Sequence, residues 1–246
     1  MNSRGYGFFG PYGSWEEARA DSAGYEAEAI IDKVRVSLLK VKNGEAMHER
    51  DSVLFDKIHY SWPLLSSLMY AAARSRGEFR VLDFGGSLGS SYYQNRKFLG
   101  SFEDLSWSVV EQERFVRIGK DEFEDDRLKF YKDIKSCVDE QNPNVLLLSS
   151  VLQYIEDPYR LIDELVSYNF EYIIMDRTIF GFGKDEVMLQ KVSPSIYDAS
   201  YPCWFLDKKR VFETFAKQYT IIESFESTID GRGANYEVLG FVAEKR

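Results

Sequence analysis

A short segment in the first half of the chain combines a carboxylate with closely spaced glycines. Asp83 ends an apolar run, and Gly85-Gly86-Ser87-Leu88-Gly89 follows it. Because glycine lacks a Cβ atom, a ligand can approach the backbone closely at Gly85 and Gly86. The dinucleotide pattern G-x-G-x-x-G does not fit, since its first glycine would fall on Phe84. Asp83 would place negative charge where that pattern binds a pyrophosphate, which favours a cationic or hydroxyl-bearing ligand.

Further polar residues end the next apolar runs in the same way. Glu111, followed by Gln112, ends the second run, where an acidic side chain can bind both hydroxyls of a ribose. Asp133 lies just past the third run and could accept a hydrogen bond from an adenine amino group or cap a helix. Ser149 and Ser150 end the fourth run, where ligand contact and a structural cap are again alternatives.

A parallel sheet would bring these strand ends together. After Gly77, short apolar runs alternate with amphipathic stretches long enough for crossover helices, which is typical of strands covered on both faces. Ligands of such sheets bind outside the carboxyl ends of the strands. We predict an α/β fold with a doubly wound, mostly parallel, seven-stranded Rossmann-like sheet and an antiparallel C-terminal strand. The predicted parallel strands are Arg80–Asp83, Trp107–Glu111, Leu128–Tyr131, Val145–Leu148 and Tyr172–Asp176.

The flanking regions have other patterns. Residues 1–77 predict helices, including a capping box at Ser14-Trp15-Glu16-Glu17 and a helix from about Glu26 to Val41, so we expect a helical N-terminal cap. Residues 78–246 are then the sheet domain. Its tail predicts two strands around an Asp230-Gly231-Arg232-Gly233 turn.

Residues 177–219 are predicted to form a substrate lid. Arg177, which follows the fifth run, could hold an anionic substrate through its guanidinium fork or pair with Asp176 or Asp157. The aromatic segment that contains Tyr201 and Trp204 is expected in a long loop, where it would contact substrate or pack over the sheet edge.

The region Phe79–Asp176 resembles the class I S-adenosylmethionine-dependent methyltransferases. The resemblance rests on the glycine motif, the acid at the second strand, the aspartate after the third strand, and the segment Val151–Pro158. The whole chain also resembles a bacterial methyltransferase-like family that often accompanies cell-surface polysaccharide biosynthesis. The matching segments are Gly10–Trp15, Arg50–Phe55, Tyr60–Leu65, Ser149–Tyr154, Asp176–Thr178 and Ser200–Phe205.

The resemblance implies S-adenosylmethionine as the cofactor and S-adenosylhomocysteine as its product. Asp83 and Gly85-Gly86-Ser87 would hold the amino-acid moiety of the cofactor, Glu111 the ribose and Asp133 the adenine. The pair Tyr60 and Trp62 could form an aromatic wall beside the sulfonium or belong to the core. Methyl transfer to an oxygen would also need a base, and the candidates are His59, Asp176 and Tyr201.

Composition and net charge exclude several classes of binding partner. The chain has 246 residues with a formal net charge of -9, which argues against a general nucleic-acid binder. The sequence has no apolar run near the roughly 20 residues of a membrane span. Two cysteines and two histidines cannot build a zinc knuckle, so we expect no metal. We expect a cytoplasmic enzyme, with a homodimer as a possible assembly, that methylates a small-molecule or sugar-linked acceptor. The alternative is a non-catalytic binding or scaffold protein in a surface-polysaccharide pathway.

Overall fold

A computed structural model describes residues 5–23, 27–196, 198–228 and 232–246 of the chain. Asp230 and Gly231, which belong to the predicted C-terminal turn, and Glu26, the predicted start of the long helix, lie outside the described residues.

The elements follow one another from an N-terminal strand to a C-terminal strand. The strands are β1 (Gly7–Tyr12), β2 (His48–Arg50), β3 (Val53–Phe55), β4 (Phe79–Phe84), β5 (Leu105–Val110), β6 (Leu128–Tyr131), β7 (Val145–Ser149), β8 (Tyr172–Gly181), β9 (Glu186–Lys191), β10 (Ser200–Asp207), β11 (Tyr219–Glu226) and β12 (Tyr236–Lys245). The α-helices are α1 (Trp15–Ala20), α2 (Ala27–Lys42), α3 (Trp62–Arg74), α4 (Ser90–Leu99), α5 (Glu113–Ile118), α6 (Ile134–Gln141), α7 (Pro158–Ser167) and α8 (Lys208–Ala216). A π-helical turn covers Gly119–Phe123, and a 3-10 turn covers Leu152–Tyr154.

The central sheet has the strand order β6-β5-β4-β7-β8-β12-β11. Strands β4 to β8 are parallel to their neighbours, and β12 runs antiparallel to β8 and β11. The prediction of a mostly parallel sheet with an antiparallel C-terminal strand is confirmed. All five predicted parallel strands form, because their apolar residues are covered on both faces.

Neighbouring residues of these strands enter two different cores. Val81, Leu147 and Ile174 pack on the face that carries α2, α3 and α4. Leu82 and Leu146, one residue away in each case, pack on the face that carries α6, α7 and α8. This alternation follows from the two-residue repeat of a strand. The N-terminal helices therefore share a core with the sheet.

The N-terminal region is not wholly helical, which corrects the prediction. Strand β1 pairs antiparallel with β9, a partner almost the whole chain away. Strands β2 and β3 form a hairpin whose turn residues, Asp51 and Ser52, have φ of 50° and 67°. Positive φ at both central positions gives the turn a twist that suits a hairpin.

The aromatic segment around Tyr201 is likewise a strand and not a lid loop. Strand β10 pairs antiparallel with β9, and its last residues, Leu206 and Asp207, pair in parallel with the end of β8. The backbone groups of the segment are thus satisfied by neighbouring strands, which a mobile loop would leave to water.

Candidate functional site

Asp83 lies near the carboxyl end of β4 and is 1% exposed. The indole N–H of Trp107 donates to its Oδ2 atom at 3.0 Å, while its Oδ1 atom is buried without a hydrogen-bond partner. Burial raises the pKa of Asp83 to about 7; the Trp107 bond opposes this shift, and the nearby charge of Glu111 adds to it. Asp83 is therefore a carboxylate with one acceptor atom available to a ligand that carries donors or positive charge.

The glycines after Asp83 keep the loop close to neighbouring side chains. Gly85 has a φ of +72°, and a Cβ atom built on it would lie 2.5 Å from Cγ2 of Val151. A Cβ on Gly86 would come within 3.0 Å of every atom of the Asp83 carboxyl group. Both glycines are thus required by the packing of the loop itself. Gly89, with a φ of +94°, then opens α4.

Glu111 follows β5 and lies beside this loop. The backbone N–H of Gln112 donates to its Oε2 atom at 2.6 Å, and the backbone of Ser87 also hydrogen-bonds its carboxylate. Burial raises the pKa of Glu111, although these backbone bonds oppose the shift. Gln112 is exposed and is the N-cap residue of α5. The structure thus brings together Asp83, the glycine loop and Glu111, which sequence reasoning placed at one edge.

Asp133 occupies a different role from the one that the resemblance implies. It is exposed and caps α6, accepting hydrogen bonds from the backbone N–H of Ser136 at 2.8 Å and from its hydroxyl at 2.9 Å. These bonds lower the pKa of Asp133. Of the two alternatives at this residue, the structure has the helix cap. Ser149 is half-buried at the end of β7, level with Asp176 of β8.

The middle of β8 carries buried polar side chains. Asp176 and Thr178 are both fully buried, and Arg177 between them has a φ of 55°. The side-chain amide of Gln153 donates to the Ser150 hydroxyl at 3.2 Å and to the Arg177 carbonyl at 3.1 Å. The Gln153 side chain therefore ties the turn after β7 to the irregular middle of β8.

Arg177 approaches a carboxylate that the sequence did not suggest. Its side chain is 19% exposed, and its guanidinium lies 4.0 Å from the carboxylate of Asp51 in the β2–β3 turn. Since Asp51 belongs to the N-terminal region, this contact links the middle of β8 to that region.

The β2–β3 hairpin is fastened over the start of α4. Glu49 is 3% exposed; its carboxylate accepts from the Ser90 hydroxyl and, at 3.2 Å, from the backbone N–H of Ser52. The side-chain amide of Gln94 donates to the backbone carbonyl of His59 at 2.6 Å. Sequence reasoning missed Glu49, because no pattern distinguishes a buried acid in a short strand from an exposed one.

The hairpin and the loop after it enclose a cavity of about 470 Å³, which we name the cap cavity. Its lining residues are Arg50, Phe55, Ile58, His59, Tyr60, Trp62 and Thr228. Tyr60 packs against Trp62 and Phe98, with ring centroids 5.3 Å and 5.2 Å away. Two predicted site residues, His59 and Tyr60, therefore line this cavity. Trp62, which the sequence pairs with Tyr60, lines it as well, and so does Arg50, which the sequence did not identify.

Tyr201 and Trp204 do not face one site, which corrects their joint assignment to a lid. They are three residues apart in β10, so their side chains lie on opposite faces of the sheet. Tyr201 packs edge-on against Tyr154 at 5.3 Å. Trp204 stacks on Trp15 at 5.6 Å and donates its indole N–H to the carbonyl of Ile155 at 3.0 Å.

The three candidate bases occupy three different environments. His59 is exposed and lines the cap cavity, Asp176 is fully buried in β8, and Tyr201 is half-buried in β10. Cys203 is fully buried, and burial raises the pKa of its thiol, as expected for a structural cysteine. In the part of the chain that the structure describes, no group of three or more His, Cys, Asp or Glu side chains is placed to hold a metal ion. The same part contains no helix both long and apolar enough to cross a membrane.

Comparison with solved structures identifies proteins of similar fold. No protein-family profile and no curated protein matches the chain. Among solved structures, the N-terminal domain of EvdMO1 in the presence of SAH and D-fucose is 13% identical, with a TM-score of 0.53 over 90% of this chain and 98% of that one. The chain shares the fold of that domain. The glycopeptide N-methyltransferase MtfA complexed with S-adenosylmethionine is 11% identical, with a TM-score of 0.51 over 76% of this chain and 96% of that one. At these identities the likeness is one of fold.

Proposed function

We propose that the protein is an S-adenosylmethionine-dependent methyltransferase that acts on a small-molecule or carbohydrate-type acceptor. The observation that carries the proposal is the pair of carboxylates, Asp83 and Glu111, joined by the glycine loop at the carboxyl edge of the sheet. Structural neighbours with this fold are complexed with S-adenosylmethionine or SAH, which supports the same cofactor here.

The residues at this edge fit the chemistry of the cofactor. S-adenosylmethionine carries an ammonium group and two ribose hydroxyls, all of them donors, and supplies a methyl group on a positively charged sulfur. Asp83 offers a buried acceptor without a partner, and Glu111 offers a second carboxylate one strand away. We assign the amino-acid moiety to Asp83 and the Gly85-Gly86-Ser87 loop, and the ribose to Glu111.

Of the other residues predicted to bind the cofactor, two are kept in that role and two are assigned elsewhere. Gln112 and Ser149 follow strand ends at the same edge and stay in the cofactor set. Asp133 is assigned to the helix cap, because both of its oxygens accept from Ser136. Tyr60 belongs with the cap cavity, where its ring is packed between Trp62 and Phe98.

We place the acceptor in the cap cavity and assign His59 as the group that accepts its proton. Methyl transfer is an in-line displacement, so most of the rate enhancement comes from holding the acceptor in position. The hairpin and the loop after it provide this hold, since Glu49 fastens the hairpin and Gln94 fastens the loop to the helix that follows the glycine motif. His59 lines this cavity beside Arg50, and an imidazole nitrogen can accept the proton of a hydroxyl.

Calorimetric titration tests the cofactor assignment. Wild-type protein is expected to bind S-adenosylmethionine and SAH, and Asp83→Asn and Glu111→Gln are each expected to weaken binding by about 10- to 100-fold, the usual worth of a charged hydrogen bond. Glu113→Gln is the matched control, because Glu113 is exposed on α5 and pairs with Lys132. Absence of binding by the wild type, or equal affinities for all four proteins, would remove the cofactor assignment.

The role of His59 is tested by turnover. With labelled S-adenosylmethionine and a fractionated small-molecule extract, His59→Asn is expected to lower kcat by on the order of 100-fold. Its affinity for S-adenosylmethionine should be unchanged. Lys57→Gln, a change at an exposed neighbour, should leave both quantities as in the wild type. Cofactor binding without transfer to any fraction would favour a binding or scaffold protein instead.

A further inference from the structure

The cap cavity contains a cation whose charge is not matched. Arg50 is half-buried at the end of β2, and its guanidinium lies 5.6 Å from the centroid of the Phe55 ring. Among the residues that the structure describes, Arg50 forms no ion pair, although the neighbouring Asp51 lies near Arg177. Its guanidinium is therefore available to pair with an anionic group of a ligand.

The surroundings of Arg50 favour negative charge. His48 lies at the start of β2, and burial together with the charges of Arg50, His59 and Arg177 lowers its pKa to about 4, so its imidazole is neutral at pH 7. The N-terminus of α3 also borders the cavity through Trp62; its cap residue, Ser61, makes no side-chain hydrogen bond, and its first turn has no acidic residue. The positive end of a helix dipole thus adds to the field of Arg50.

The rest of the lining is aromatic. Trp62 is 60% exposed, which is unusual for so large an apolar side chain, and Tyr60 and Phe98 support one side of its ring. An indole with an open face beside polar groups can pack against the ring of a ligand. A cavity of about 470 Å³ accommodates one ring and one anionic group.

We propose that the cap cavity binds its ligand through a phosphate or carboxylate group held by Arg50, with a ring of the ligand packed on Trp62. The identification of this ligand as the methyl acceptor rests on the proposed function. The binding of an anion in the cap cavity does not rest on the proposed function. It specifies the class of ligand, which the cofactor site leaves open: ring compounds that carry a negative charge.

Direct binding of simple probes tests this property. Glucose 6-phosphate, glucuronate and phenyl phosphate represent charged rings, glucose is the matched neutral ring, and inorganic phosphate is the matched anion without a ring. We expect at least one charged ring to bind about tenfold or more tightly than both glucose and inorganic phosphate, as measured by calorimetry. Tighter binding of phenyl phosphate would identify an aromatic ligand, and tighter binding of the sugar anions would identify a carbohydrate. Either result supports the proposal.

Two substitutions separate the charge from the ring. Arg50→Gln is expected to weaken binding of the charged probe about tenfold or more, and Arg50→Lys to keep part of the affinity. Trp62→Phe should keep calorimetric binding but lose the tryptophan fluorescence change that the probe produces in the wild type. Arg160→Gln, at an exposed arginine of α7, is the control and should change nothing.

The proposal is overturned if no charged probe binds, if glucose binds as well as glucose 6-phosphate, or if Arg50→Gln has the affinity of the wild type. Titration of the same Arg50→Gln protein with S-adenosylmethionine distinguishes failure of the anion site from failure of the proposed function. Unchanged cofactor affinity with lost probe binding supports the anion site. Loss of cofactor binding in the wild type would remove the methyltransferase assignment without touching the probe results.

Discussion

Raising the pH from about 5 to about 8 is expected to lower the free energy of unfolding of the wild type by roughly 2–3 kcal/mol more than that of Asp83→Asn. Burial raises the pKa of Asp83 from 3.8 to about 7, so over this interval the folded protein holds a proton that the unfolded chain releases. The free energy of unfolding of the wild type therefore falls as pH rises from about 4 and levels off above about 7. Asparagine carries no titrating proton and does not contribute to this fall.

Chemical denaturation at a series of pH values measures the effect. The comparison uses the change between the two pH values, because any constant effect of the buried amide cancels. Asp133→Asn is the control of opposite sign: hydrogen bonds from Ser136 lower the pKa of Asp133, so its contribution is lost as pH falls. Parallel profiles for the wild type and Asp83→Asn would show that Asp83 is not the titrating group.

The strands and carboxylates of the cofactor edge could be predicted because each depends on local sequence. An apolar run of the type Val145–Leu148 is buried on both faces, so its composition alone indicates a parallel strand. Asp83 and Glu111 end such runs, and parallel pairing must then bring them to one edge. Trp107 lies in the predicted second strand, yet its bond to Asp83 depends on a register that the sequence does not specify.

The cap cavity could not be predicted, because single long-range contacts position it. One carboxylate, Glu49, fixes the hairpin over α4, and one amide, Gln94, fixes the loop after it; neither belongs to a periodic pattern. Arg50 therefore looked like any surface arginine in the sequence. The error at Tyr201 and Trp204 has a different cause: residues three apart can share a site in a loop or helix but lie on opposite faces of a strand.

Gly86→Ala is expected to weaken the binding of S-adenosylmethionine by about 100-fold and to lower the free energy of unfolding by about 1–3 kcal/mol. The added Cβ would come within 3.0 Å of the Asp83 carboxyl group, which is fully buried and bonded to Trp107. Either the carboxylate or the loop must move, and each movement separates Asp83 from the position that we assign to the ammonium group. Calorimetry and chemical denaturation measure the two effects.

A second substitution shows which of these losses is steric. Asp83→Ala removes the three atoms nearest to the new Cβ, so the double variant is expected to recover stability relative to Gly86→Ala, with a favourable coupling between the two sites. Its affinity for S-adenosylmethionine should stay low, because the carboxylate itself is gone. Gly44→Ala is the control: Gly44 has a φ of +78° and open space around it, so strain there should reduce stability without reducing affinity. Recovery of cofactor binding in the double variant would mean that Asp83 only supports the loop and that the ammonium group binds elsewhere.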